Sequence, residues 1–194
     1  MNVQNLIQRS LMFGEQYYGE LKLDTLDELC NKFKASLDFI RYGVNENDLQ
    51  TVQVGVGLAF TFGVGIYGSI DNALLNDLTD IDVQQPVNPG LSNKNANMIL
   101  HLLDLIADDD GEQIKNDPFT GKKSYSSETL KKHYINSDPS HSNEFSFGSH
   151  NHLINMIKIL AKIAGLCGGT LEDCIDLEMS DFVGYLRIEK GMNV

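Results

Sequence analysis

The chain has 194 residues, 42% of them hydrophobic and 22% charged, and carries a formal net charge of −12. That length and apolar fraction support one globular domain over residues 1–194 with a core of its own. The acidic balance excludes nucleic-acid backbone as a partner, because a like-charged surface repels phosphates, and suits a soluble protein or one that meets a basic partner.

Cys30, Cys167 and Cys174 are odd in number and follow no metal-ligand spacing. They read as reduced thiols in a cytoplasmic setting. The opening MNVQNLIQRS has no basic region followed by an apolar run, so no signal peptide is expected.

Taken in order, residues 3–18 place Val3, Leu6, Ile7, Leu11 and Tyr18 near helical spacing, with Gly14 and Gly19 weakening the end. Thr25 and Glu28 then form a capping-box pair. Leu26, Leu29, Cys30, Phe33, Leu37 and Ile40 recur at three and four behind it, and Gly43 is the natural residue to end that helix.

Residues 49–70, LQTVQVGVGLAFTFGVGIYGSI, carry no charge, while acids crowd both flanks. Even positions are large and apolar, odd ones small or uncharged, which is the period of a strand. The same stretch also holds small residues every four positions: Gly55, Ala59, Gly63 and Gly57, Thr61, Gly65. Such rows let another helix approach closely. Since the neighbouring segments read as helices, a buried central helix is favoured over a strand. Gly55, Gly57, Gly63 and Gly65 also offer a bare surface on which two copies could meet, making a homo-oligomer an expectation. The run is long enough for a membrane span, but its glycines, its Gln50 and Gln53, and the lack of a flanking Lys or Arg make membrane insertion the minor reading.

Ala73, Leu74, Leu75 and Leu78 continue the apolar series, and Pro86, Pro89 and Gly90 form a linker. Ser92 caps a helix over 92–107. Residues 109–148 read as one long irregular loop, within which SSETLKKHY forms a helical turn or two. The next helix, 149–164, is stopped by Gly165, Gly168 and Gly169. Thr170 and Asp173 make a second capping box, and Ser180 caps a last short segment closing near Gly191. The expected fold is therefore mostly α: a helical bundle around a buried Gly-rich segment.

Candidate chemistry is sparse. Asp108, Asp109, Asp110, Gly111 and Glu112 suggest a calcium loop. However, with Gly111 at the sixth place, Ile106 falls where the first ligand belongs and Asp117 where the bidentate Glu belongs. The run reads as a solvated helix end. His101, Asp104 and Asp108 on one helical side, with His150 or His152 from another helix, are the best candidates for a divalent metal, although His150 and His152 point apart on a helix. Lys122, Lys123, Lys131 and Lys132 are the one basic cluster and a candidate contact surface for phosphate or an acidic partner. Gly55-x-Gly57 lacks the third glycine and the βαβ setting of a dinucleotide fingerprint. Cys174 lies on an apolar face, as a core residue would.

Gly57-Leu58-Ala59 with Gly63, the helix HLINMIKILAKIAGL at 152–166 and the closing LRIEKG at 186–191 resemble segments of the all-α nucleotide pyrophosphatases of the MazG and dimeric dUTPase type. The resemblance implies an all-α fold and, for an active member, Mg²⁺-dependent hydrolysis of nucleotides by clustered carboxylates. The carboxylates do not carry over. Phe60, Thr61, Phe62, Gly63 and Val64 stand where the first acids belong, and Ser149 and His152 where the second pair belongs. The resulting expectation is a non-catalytic, cytoplasmic protein that works by binding another protein (as an accessory, inhibitory or immunity-type factor, or an assembly subunit). No cofactor is expected. The alternatives are a metal-dependent nucleotide hydrolase and a membrane-inserting protein.

Overall fold

A computed structural model describes residues 1–18, 26–70, 72–76, 78–106, 115–116, 123–124, 142–191 and 193. Six α-helices dominate the described residues: α1 (Val3–Phe13), α2 (Leu26–Asn45), α3 (Leu49–Ile70), α4 (Asn93–Ile106), α5 (Ser142–Leu166) and α6 (Leu171–Glu189). A π-helical turn, Gly14–Tyr18, extends α1, and a 3-10 turn, Asn72–Leu75, follows α3. Two-residue strands β1 (Lys115–Asn116) and β2 (Lys123–Ser124) pair antiparallel, Lys115 opposite Ser124.

Helix α3 is the hub. It packs against α1, α2, α5 and α6, while α4 lies against α2 and α5. The expected mostly-α bundle around 49–70 is what the molecule has, with that segment a 22-residue helix. The strand-like alternation has a simple origin. Residues two apart on a helix point roughly 200° apart, whereas those four apart share a side. Two rows of small residues on opposite sides therefore write an even–odd pattern in the sequence. One row faces α2: a Cβ on Gly55 would sit 2.6 Å from Ile40 Cγ1. The opposite row faces α6: a Cβ on Gly57 would sit 2.5 Å from the Cys174 carbonyl oxygen.

Phe60, Val64 and Ile66 fill the remaining directions and are fully buried. At about 1.5–3 kcal/mol for each large apolar side chain removed from water, this seam is a main source of cohesion. The helix is long and apolar enough to cross a membrane, but 72% of that stretch is already buried among the other helices.

Three boundaries differ from the sequence reading. Helix α2 does not stop at Gly43, which instead lets α3 approach: a Cβ there would meet the Val52 nitrogen at 2.8 Å. The helix runs on to Asn45, and Asn47 takes the left-handed conformation (φ 55°). The Asp48 N–H then donates to the Gly43 carbonyl and the Asn47 N–H to that of Val44, the Schellman closure. Helix α5 begins at Ser142, inside the stretch read as irregular, where β1 and β2 also fall; Gly148 costs a helix only about 1 kcal/mol against Ala and does not stop it. Helix α6 is continuous through Ser180, with no second cap. The Thr25–Glu28 capping box and the turns of SSETLKKHY lie outside the described residues.

Candidate functional site

The turn from α5 into α6 is closely specified. Gly168 (φ 90°) and Gly169 close α5, their N–H groups donating to the Gly165 and Ala164 carbonyls. Thr170 then caps α6: its hydroxyl accepts from the Asp173 N–H (3.1 Å), and Asp173 Oδ2 accepts from the Thr170 N–H (2.8 Å). This is the reciprocal pair the sequence indicated, with acids placed where the helix dipole favours them.

Two other parts of the chain are tied to this corner. The Gly90 N–H donates to the Leu166 carbonyl (2.7 Å), anchoring the linker to the end of α5. Arg9 of α1 reaches across to α6, with Nη1 2.8 Å from Glu172 Oε1 and Nη2 on Asp176.

Between the 81–85 segment and the start of α6 lies a cleft of about 280 Å³. Ile81, Ala161 and Leu171, all buried, with half-buried Val83, form its apolar floor. The exposed side chains of Asp82, Gln85, Thr170 and Glu172 form its rim, and Met1 lines one side. The Ile81 N–H donates to the Met1 carbonyl (3.4 Å), which fixes that side. The floor can hold an alkyl chain, and the rim carboxylates can bind a cation or accept hydrogen bonds. The cleft was not anticipated from sequence. The Thr170–Asp173 cap located the start of α6, but nothing in the sequence placed Asp82 beside it.

The residues singled out by sequence lie on several elements. His101 and Asp104 are exposed on α4, and Asp104 accepts from Arg41 Nη2 at 3.2 Å. Asp108 lies outside the described residues. His150 and His152 belong to the third turn of α5, and their side chains are not among those described. Among the described residues no three His, Cys, Asp or Glu side chains come close enough to share a metal. Of the basic cluster, Lys123 is in β2, while Lys122, Lys131 and Lys132 lie outside the description. Gly55, Gly57, Gly63 and Gly65 are buried. The first three lie against α2, α6 and α5, so the surface expected to meet a second copy is occupied within the chain.

The cysteines belong to the core, and all three are free thiols. Burial pushes Cys167 up to about 12, and Cys174 is raised by burial first and then by Cys167 and Asp173. Neither has the thiolate character a nucleophile needs. Burial likewise raises Tyr67, with Cys30 adding to it.

Sequence reading also passed over two buried polar residues on helices that pack together, Ser10 on α1 and Glu178 on α6, while Thr61, read as part of a small-residue row, is buried on α3. Glu178 Cβ would lie 2.7 Å from a Cβ on Gly57, so this carboxyl belongs to the α3–α6 seam. No protein-family model matches the chain, and comparison with curated proteins and with solved structures gave no significant match.

Proposed function

We propose that the chain is a non-catalytic binding protein whose acidic surface docks a basic protein partner. The observation that carries this reading is the outer side of α6. Glu172, Asp173, Asp176 and Asp181 are all exposed there, on a chain of net charge −12, and Asp82 adds to them across the cleft. Arg9 offsets part of Glu172 and Asp176, and Arg187 is exposed at the far end, but acids predominate on this helix, and an excess of one sign steers an oppositely charged partner and sets its orientation. A cytoplasmic accessory, inhibitory or immunity-type role, or membership of an assembly, fits such a surface.

The test is affinity capture with the full chain, followed by a salt titration of the isolated complex. A stoichiometric complex should weaken steeply between low and high salt, because exposed charges are screened. It should weaken again when Glu172→Gln, Asp176→Asn and Asp181→Asn are combined. A complex indifferent to both changes, or no complex at all, defeats the reading. A parallel screen of nucleoside triphosphates with Mg²⁺ or Mn²⁺ covers the hydrolase alternative, and turnover there would replace the binding reading.

A further inference from the structure

The cleft at the start of α6 combines two kinds of surface that rarely serve the same ligand unless it is an alkyl cation. Its floor, Ile81, Val83, Ala161 and Leu171, is apolar and suits a methylene chain. Its rim holds two carboxylates, Asp82 and Glu172, from segments far apart in the chain. Lysine and arginine side chains have this two-part character: they lay their stems on apolar surface and keep the charged head at the edge.

Glu172 already shows the pairing, since Arg9 donates to its Oε1 at 2.8 Å. A carboxylate offers roughly four acceptor positions, so a second cation can share it. The Arg9 guanidinium beside the cleft is matched by two acids. Asp176 shares Arg9 with Glu172, and Asp173 caps the N-terminus of α6. Asp80, close by in the chain, is also exposed. An anion would meet this rim with repulsion, and so would a second copy of a chain carrying −12.

We propose that this cleft receives one lysine or arginine side chain of the protein partner, its stem on the floor and its head between Asp82 and Glu172. The proposal rests on the binding reading above and assigns that reading its central contact.

Two measurements test it, both on the full chain. In the first, Nα-acetyl-lysinamide and Nα-acetyl-argininamide are titrated into ¹⁵N-labelled protein. Saturable shifts are expected at the amides of Val83, Leu171 and Glu172. Nα-acetyl-norleucinamide, which has the stem without the charge, should give none that saturate. Asp82→Asn and Glu172→Gln, both at exposed positions, should each weaken the titration by about tenfold, the loss of one charge-assisted hydrogen bond. Circular dichroism checks that the fold is kept. Equal shifts with norleucinamide, or no saturable shift, overturn the proposal.

In the second, the captured complex is remeasured with the same two variants. A comparable weakening supports the cleft as the contact. A complex unchanged by both variants overturns it while leaving the binding reading intact. Saturable probe binding with no partner complex overturns the binding reading, and the assignment to a partner's side chain with it, leaving the cleft a site for free alkyl cations.

Discussion

Helices α3 and α6 lie against each other and both contain glycine, yet the residue means different things in the two. In α3, Gly57 sits where a Cβ would collide with the Cys174 carbonyl oxygen. In α6, Gly184 has nothing within 4 Å of its would-be Cβ. The first glycine sets the distance between two helices; the second only loosens the one it belongs to. Likewise Phe60, at the middle of α3, is fully buried, while Ile188 near the end of α6 is 80% exposed. A helix surrounded on all sides and a helix with one wet side follow different rules, and only the second has side chains to offer a partner.

The contrast can be broken most severely at the large residues. Phe60→Ala should destabilise the protein by about 3–5 kcal/mol, a buried aromatic lost from a packed core, whereas Ile188→Ala should stay within about 0.5 kcal/mol. Urea denaturation of the two variants checks this, and similar midpoints would refute the difference in burial. The glycines give a smaller effect with opposite signs. Gly57→Ala should destabilise by about 1–3 kcal/mol, because the backbone carbonyl it meets cannot swing aside. Gly184→Ala should stabilise by about 0.5–1 kcal/mol by lowering the entropy lost on folding. Thermal melts that moved the same way for both would show that Gly57 is not a contact residue.

The smallest effect lies at the start of α3. Asp48 is held below its ordinary value, first by the Thr51 hydroxyl (2.8 Å) and then by the Thr51 N–H. A carboxyl depressed on folding contributes stability above its unfolded value and loses it as pH falls through the folded value. Stability should therefore decline below about pH 4 with a part due to this group. Asp48→Asn, which keeps a capping oxygen but no charge, should flatten that part of the profile. An unchanged slope in urea midpoint against pH would rule the cap out.

Most of the helical plan was legible because it is written locally. The Thr170–Asp173 pair named the start of α6, and the apolar series of α2 named its buried side. The central segment was legible only after two periods were weighed, since rows spaced by four also alternate. The boundary at Gly43 misled for a physical reason: a glycine that admits a neighbouring helix looks in sequence like one that ends its own. The cleft could not be read at all. Its carboxylates come from the 81–85 segment and from α6, and only the docking of that segment beside Met1 and the α5–α6 corner brings them together.

The closure between α2 and α3 has a kinetic consequence. Only Glu46, Asn47 and Asp48 separate the two helices, so their extensive contact forms with little loop entropy to overcome. Seating α6 on Gly57 joins residues more than a hundred positions apart. The α2–α3 hairpin is thus placed to organise the transition state, with α6 docking late. Core truncations in the hairpin would slow folding, and those in α6 would chiefly hasten unfolding.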